Sequence, residues 1–309
     1  MTTLYPVYVP KLLSRDEYFV AGRRSCKGCG KALSVRMICK MMGRDVVASA
    51  PGKDTPLLSS YGKTGVGFSW DEITTGDLAI SFADQLLAEN ERAGEGTGSR
   101  RKVKKAVVGI DLRVFARDPL VVNEVVKEGR DVLYICYDSE MYMDTLIKKA
   151  APSLNGHGAV HLPGREELRS LIKSKNIPSP VWESSLSYAA TACPSFPLDL
   201  WGKIKKGLRA RGTAFISLLT PCPTAWLFKP ELTAHLGTLA VETGFYPLLE
   251  RESGSVSLTM KVSQLKPLSN YLKAQQRYVT FSPELAALIQ EIVSEEYAAL
   301  VKRAYGKGV

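Results

Sequence analysis

The sequence predicts an α/β fold built on a doubly wound, mainly parallel sheet. Two continuous apolar runs carry this prediction, residues 106–110 (AVVGI) and residues 132–137 (VLYICY). Residues 120–128 lie between these runs and have helical periodicity. Because fully apolar strands joined by a helical crossover belong in a parallel sheet covered on both faces, this central stretch is predicted to be a β-α-β unit.

Oxygen-bearing side chains follow both strands of this unit. Asp111 comes directly after the first run, and Asp138 and Ser139 come after the second. In parallel sheets ligands bind beyond the carboxyl ends of the strands, where such side chains can share a hard cation with a phosphate-bearing ligand. The residues alone leave a second interpretation open, in which these are polar ends of a sheet without a ligand.

Composition and charge narrow the function classes. The 309 residues are 45% hydrophobic and 23% charged, which is typical of an ordinary globular protein. No run reaches the roughly 18 apolar residues of a membrane span, and the first residues lack a signal-peptide pattern, so we expect a cytoplasmic protein without a membrane span. The net charge is +10, and the basic residues are densely clustered only at residues 100–105. Since no aromatic interleaving accompanies that cluster, we expect no nucleic-acid partner.

The chain begins with an arm and a cysteine motif. Residues 1–20 contain two prolines near alternating apolar residues, which predicts an extended arm lying on a neighbouring subunit. Cys26 and Cys29 then form a Cys-x-x-Cys motif ahead of a helical pattern at residues 33–42. In a chain expected in the cytoplasm, six cysteines indicate metal, redox or packing roles rather than a disulfide framework.

Periodicity predicts the remaining elements. Helical patterns cover residues 71–89, 166–173 and 201–210, and residues 213–219 are predicted to be the last strand of the sheet. Ser282 caps a C-terminal helix with Pro283 at its first position. The apolar stripe of that helix packs either on the sheet or against another subunit. We divide the chain into an arm (1–20), one α/β domain (21–280) and the C-terminal helix (281–309).

Four separate segments resemble one family. Residues 134–145 (YICYDSEMYMDT) and 22–43 (GRRSCKGCGKALSVRMICKMMG) are similar to segments of the thiamine-diphosphate-binding β subunit of 2-oxoacid:ferredoxin oxidoreductases, the pyruvate synthase type. Residues 220–226 (TPCPTAW) and 239–250 (LAVETGFYPLLE) resemble two further segments, and residues 188–208 and 265–278 are also similar to the family. The resemblance covers about residues 20 to 280 and implies the thiamine-diphosphate-binding type of α/β fold.

The resemblance implies that thiamine diphosphate and Mg²⁺ bind at the carboxyl ends of the strands. It assigns Mg²⁺ to the side chains of Asp111 and Ser139 and to the backbone carbonyl of Met141. Four further cofactor-binding positions are implied nearby: Asp144, Thr145, Gly28 and Gly30.

The resemblance also implies an iron–sulfur cluster. It assigns the thiolates of Cys26, Cys29 and Cys222 to the cluster. The family's fourth cysteine belongs to a segment that corresponds to residues 46–52, which contain no cysteine. Cys39 is the nearest other thiol, although its helical pattern favours core packing. Cys136 and Cys193 are likewise interpreted as small buried residues.

Two functions follow from the resemblance. In the first, the chain is a β-type subunit of a hetero-oligomeric oxidoreductase that decarboxylates a 2-oxoacid oxidatively, beside an α-type subunit, and passes electrons to a ferredoxin-like acceptor. In the second, it is a paralogue that keeps the fold and partner contacts without thiamine or an intact cluster. Ile110 and Leu112, which replace family glycines, favour the second function, as do Asp144 and the missing fourth cysteine. The retained Asp111 and cysteines favour the first, which we expect.

Overall fold

The computed structural model describes residues 26–42, 106–112, 129–140, 164–174 and 186–306, together with residues 84, 88, 124, 127 and 143. The predicted arm lies outside these residues. Residues 84 and 88 are helical, as predicted for 71–89, and residues 124 and 127 are helical, as predicted for the crossover. The other residues of those two segments lie outside the described ranges.

Six strands and seven α-helices make up the described chain, with two short 3₁₀ turns at Pro230–Leu232 and Gln276–Tyr278. The helices and strands are, in order, α1 (Gly30–Met42), β1 (Ala106–Asp111), β2 (Val132–Asp138), α2 (Arg165–Ser174), β3 (Tyr188–Ala192), α3 (Pro197–Arg209), β4 (Ala214–Leu219), α4 (Pro223–Trp226), α5 (Thr233–Glu242), β5 (Leu249–Glu252), β6 (Ser255–Leu258), α6 (Leu268–Lys273) and α7 (Pro283–Tyr305). Among these helices, none is long and apolar enough to cross a membrane.

The strands form one mainly parallel sheet in the order β1-β2-β4-β3-β5-β6. The first four strands pair in parallel, while β5 pairs antiparallel with β3 and β6 pairs antiparallel with β5. Every residue of β2, β3 and β4 is buried, as expected for strands covered on both faces. The predicted α/β fold class is confirmed.

The β5–β6 hairpin corrects one prediction. Residues 213–219 were expected to be the last strand, but β4 lies inside the sheet and two later strands extend it. The hairpin was missed because Glu250 and Glu252 make β5 polar, and only its first residue is buried. Its two-residue turn, Ser253 and Gly254, has φ angles of 50° and 79°, which suit the twist of a tight hairpin.

Helices cover both faces of the sheet. On one face, Ile38 of α1 and Ile204 of α3 pack in a cluster with Ile135 and Ile216 of the central strands. On the other face, the hydroxyl oxygen of Ser217 lies 3.0 Å from that of Tyr246, and the segments from α5 to α7 build a second cluster. This two-sided cover is why the central strands are continuous apolar runs.

The C-terminal helix packs on its own chain. Its buried residues include Leu285, Ile289 and Ile292, which lie in the same cluster as α5 and α6. Arg165 of α2 also bridges to Glu291 and Glu295 of α7 at 2.8 and 2.7 Å. Of the two placements that the sequence left open for the apolar stripe, the structure therefore has the one within the chain.

Candidate functional site

The carboxyl ends of β1, β2 and β4 lie at one edge of the sheet. The parallel register pairs Asp111 with Tyr137 and Asp138 with Leu219. Thr220 extends the ladder by donating its backbone N–H to the Asp138 carbonyl oxygen at 2.7 Å. Asp111 and Ser139, the predicted Mg²⁺ residues, thus stand at the end of β1 and directly after β2, on neighbouring strands.

The chain turns sharply at Ser139. The Glu140 backbone N–H donates to Asp138 Oδ1 at 2.8 Å, and Glu140 has a φ of 52°, a left-handed conformation that non-glycine residues rarely adopt. The Ser139 carbonyl oxygen accepts the indole N–H of Trp226 at 2.7 Å. The backbone of Ser139 is therefore held from inside the protein, while its side chain is half-buried at the sheet edge.

Several predicted cofactor residues lie outside the described part of the chain. These are Met141, Asp144 and Thr145, together with the side chain of Asp111, so their roles stay predictions. Leu112 is described, and its side chain is only 5% exposed. Its N–H donates to the Tyr137 carbonyl oxygen at 3.0 Å. A diphosphate at this edge would therefore need hydrogen-bond donors other than the Leu112 amide.

The Cys-x-x-Cys turn lies against the loop that carries Cys222. The Gly30 N–H donates to the Pro221 carbonyl oxygen at 3.1 Å, and the Thr233 hydroxyl donates to the Gly28 carbonyl oxygen at 2.6 Å. Two segments nearly 200 residues apart in the sequence therefore adjoin at the carboxyl edge. This junction brings the backbones that carry Cys29 and Cys222 together.

Gly28 within the motif and Gly30 directly after it permit close approach between backbones. A Cβ atom on Gly30 would lie 2.4 Å from the Pro221 carbonyl oxygen, and one on Gly28 would lie 2.4 Å from the Pro230 carbonyl oxygen. Gly28 also has a φ of 67°, which L-residues rarely adopt. These contacts explain the glycines without reference to a cofactor, and their predicted cofactor contacts stay predictions.

The six thiols divide into two groups of three. Cys26 is exposed and Cys29 and Cys222 are half-buried, whereas Cys39, Cys136 and Cys193 are fully buried. Burial raises the pKa of Cys39 to about 12 and that of Cys193 to about 11. The packing interpretation of the three buried cysteines is confirmed, and the accessible thiols are the three that the family resemblance assigns to a cluster.

The accessible thiols do not already form a metal cage. Among the described residues, no three His, Cys, Asp or Glu side chains lie together in a way that could hold a metal ion. Cys222 Sγ instead accepts the Ala225 N–H at 3.5 Å, as the N-cap of α4. For the three thiolates to share a metal centre, their side chains would have to be rearranged.

A buried polar network lies behind Ser139. The Glu140 carboxylate accepts hydrogen bonds from Arg277 Nη2 at 2.6 Å and from the Tyr271 hydroxyl at 2.9 Å. The Arg277 guanidinium stacks on the ring of Trp226, 4.2 Å from its centroid. Burial by itself lowers the pKa of Arg277, but the neighbouring Tyr278 and Glu140 raise it above its ordinary range. The guanidinium therefore remains charged inside the protein.

Sequence reasoning did not identify this network. Glu140 lies within the matched segment 134–145, and Tyr271 and Arg277 lie within the matched segment 265–278. The available signal was the presence of charged residues in segments that otherwise pack in the core. Nothing in the sequence indicated that these two segments meet.

The chain is similar over most of its length to named subunits of 2-oxoacid oxidoreductases. It is 31% identical over 285 residues to the pyruvate synthase subunit PorB of Methanocaldococcus jannaschii, covering 91% of this chain and 96% of the relative. It is 33% identical to PorB of Methanothermobacter thermautotrophicus, with the same coverage. The ketoisovalerate oxidoreductase subunit VorB of Pyrococcus abyssi is 30% identical and is covered to 94%, as is this chain.

Family models and solved structures give no further information on the site. No protein-family model matches the chain. Among solved structures, a 2-oxoglutarate:ferredoxin oxidoreductase from Magnetococcus marinus is similar at 16% identity, with a TM-score of 0.35 over 70% of this chain and 68% of the other. That likeness is too weak to locate any residue of the site.

Proposed function

Since this chain belongs to the family of β-type subunits of 2-oxoacid:ferredoxin oxidoreductases, which are enzymes, we propose that it is a working subunit of such an enzyme. The complex decarboxylates a 2-oxoacid oxidatively, contains an α-type subunit, and transfers electrons to a ferredoxin-like acceptor. The chain supplies the thiamine diphosphate site and the ligands of a nearby iron–sulfur cluster.

One observation carries the proposal. The junction between Gly30 and Pro221 joins the Cys-x-x-Cys turn to the Cys222 loop, and α4 links Cys222 to Trp226, which donates to the Ser139 carbonyl oxygen. The two predicted cofactor elements are thus parts of one connected structure at the sheet edge. An electron leaving thiamine for a cluster requires these two elements to be close together.

The donor chemistry of this edge suits both groups. Thiamine diphosphate, when bound, supplies the carbanion chemistry. Asp111, Ser139 and the Met141 carbonyl offer oxygen ligands, which Mg²⁺ prefers. Three accessible thiolates suit iron, and they leave one iron of a four-iron cluster without a cysteine ligand.

A second function is favoured by Leu112. Its buried side chain and its N–H, which is committed to the strand ladder, stand where the family's glycine lets a diphosphate approach. The chain would then be a structural or regulatory subunit that keeps the fold and its partner contacts without thiamine or an intact cluster.

Equilibrium titration of the purified complex with thiamine diphosphate separates the two functions. We expect saturable binding that requires Mg²⁺ and that Asp111→Ala abolishes, because the metal loses a charged ligand. Glu124→Ala is the matched control, since it removes an exposed carboxylate from the helix between the same two strands. If wild-type protein binds no thiamine diphosphate at millimolar concentration, the second function replaces the first.

Iron and sulfide analysis of anaerobically purified protein tests the cluster. We expect a cluster that Cys222→Ser diminishes and that Thr224→Ala, an exposed change in α4 two residues away, leaves intact. Because one iron lacks a cysteine ligand, the cluster should degrade in air to a three-iron form, which low-temperature electron paramagnetic resonance detects. Iron-free anaerobic protein whose three accessible thiols all alkylate would contradict this assignment.

A further inference from the structure

The buried pair of Glu140 and Arg277 has no part in the proposed chemistry, yet it lies directly behind the predicted Mg²⁺ residue Ser139. Both side chains are almost completely buried, 0% exposed for Glu140 and 3% for Arg277. Desolvating two charges is costly, and a buried ion pair is often no more stabilising than an apolar pair of similar volume. Fold stability alone is therefore a weak explanation for these two charges.

The pair closes a ring of contacts around the turn after β2. Glu140 accepts from Arg277, the Arg277 guanidinium stacks on Trp226, and the Trp226 indole donates to the carbonyl oxygen of Ser139. Ser139 and Glu140 are consecutive in the chain, so the ring fixes one peptide unit from two sides. That peptide unit carries a predicted metal ligand.

The same ring of contacts extends to the loop that carries Cys222. Trp226 is the last residue of α4, its backbone N–H donates to the Cys222 carbonyl oxygen at 2.8 Å, and Cys222 caps the helix. Trp226 therefore contacts the Ser139 carbonyl oxygen through its indole and the Cys222 carbonyl oxygen through its backbone. Arg277 contacts the face of this ring and Glu140 at once.

We infer that Arg277 is a positioning residue, which holds the Ser139 turn and the Cys222 loop in fixed relation by pairing with Glu140 and stacking on Trp226. Its effect on cofactor binding rests on the proposed function, whereas its effect on the two chain segments does not. Tyr271 and Gln275 support it, since Tyr271 donates to Glu140 and the Arg277 Nε donates to Gln275 Oε1 at 2.8 Å.

Arginine is suited to this role by its shape. The guanidinium is planar, so it can lie flat on an indole ring while its N–H groups point at a carboxylate. A lysine could keep the charge near Glu140 but has no flat face to hold the ring. Arg277→Lys should therefore preserve much of the ion pair and still loosen Trp226.

The test compares variants of the purified complex. Arg277→Lys keeps the charge, and the double variant Glu140→Gln with Arg277→Met removes both charges, so no charge is left buried without a partner. Lys203→Met is the control for breaking a buried ion pair elsewhere, since Lys203 bonds Asp199 at 2.6 Å and Thr259 at 2.7 Å. Each protein is measured for Tm, for the Kd of thiamine diphosphate with Mg²⁺, and for amide hydrogen exchange.

A positioning role predicts a separation between stability and binding. The double variant should recover most of the Tm but still raise the Kd by about 10- to 100-fold, the range seen when residues behind metal ligands are changed. In both Arg277 variants the amides of Glu140 and Trp226 should exchange faster together. Lys203→Met should lower Tm without either effect.

Three outcomes are distinguishable. If the double variant recovers both Tm and cofactor affinity, and exchange at Glu140 and Trp226 matches that of wild type, the pair is structural and the inference is wrong. If wild-type protein binds no thiamine diphosphate, the proposed function fails, but coupled exchange at the two amides still supports the positioning role. Unchanged exchange in that case overturns the positioning role as well.

Discussion

Gly30→Ala tests whether the contact between the Cys-x-x-Cys motif and the Cys222 loop is needed for stability and for iron binding. The change adds one methyl group at the first residue of α1. That Cβ would lie 2.4 Å from the Pro221 carbonyl oxygen and 2.8 Å from the Pro221 nitrogen, both backbone atoms. Backbone cannot move aside as a flexible side chain can, so the motif must separate from the Cys222 loop.

The size of the effect follows from these contacts. The 2.4 Å contact must lengthen to at least 3.0 Å, and the hydrogen bond from Gly30 to Pro221, now 3.1 Å, lengthens with it. Overpacking of this kind costs about 1–3 kcal/mol, and the lost hydrogen bond costs about 1 kcal/mol. Alanine returns up to about 1 kcal/mol through its higher helix propensity. We expect the free energy of unfolding to fall by about 1–3 kcal/mol.

Urea unfolding and iron analysis of the same preparations measure the two consequences. Gly202→Ala is the matched control, because Gly202 also lies in a helix and a Cβ there meets nothing within 4 Å. That control should be stabilised by about 0.4–1 kcal/mol, with unchanged iron content. The reasoning is refuted if Gly30→Ala is as stable as the control and retains its iron.

Three further expectations concern the core and its thiols. At pH 8, iodoacetamide should modify only the accessible cysteines, because a pKa near 12 leaves about one in ten thousand Cys39 side chains ionised. Peptide mass spectrometry identifies each modified cysteine. Rapid labelling of Cys39 would contradict its burial. Folding raises the pKa of Cys39 from 9.0 to about 12. The buried neutral thiol therefore contributes fully to the free energy of unfolding below pH 9, and this contribution is lost as the pH rises toward 12. Urea unfolding measures how far the free energy of unfolding falls between pH 8 and pH 10. In Cys39→Ala this fall should be smaller than in wild type by about 1 kcal/mol. Ile292→Ala should cost about 2–5 kcal/mol in the same assay, whereas the exposed change Lys302→Ala should cost almost nothing.

The central sheet was predictable because burial on both faces leaves a strong local signal. The strands β2 and β4 are buried along their whole length and mostly apolar, and the sequence predicted both to within a few residues. The β5–β6 hairpin has no such signal, since three of the four residues of β5 are charged and β6 forms the edge of the sheet. Edge strands are specified by their partner and turn as much as by their own hydrophobicity.

The site was predictable in part for a related reason. Parallel topology sends all strand ends to one edge, so the sequence alone was enough to expect Asp111, Ser139 and Cys222 there. The pairing of Glu140 with Arg277 could not be expected in this way, because the two residues are 137 positions apart. A pattern along the chain shows that a charge sits in an apolar segment, but only the fold shows which charge it meets.

The turn at Glu140 bears on the choice between the two functions. A non-glycine residue at a φ of 52° is strained, typically by about 1–2 kcal/mol, and burying the Glu140 and Arg277 charges adds a desolvation cost. A subunit with only a structural role has less costly solutions, such as an extended turn and an apolar pair. Strain and buried charge persist where the surroundings hold them in place, and they concentrate at functional sites. Their presence directly behind Ser139 therefore favours a working cofactor site, and a double variant that folds well but binds thiamine diphosphate as tightly as wild type would remove that support.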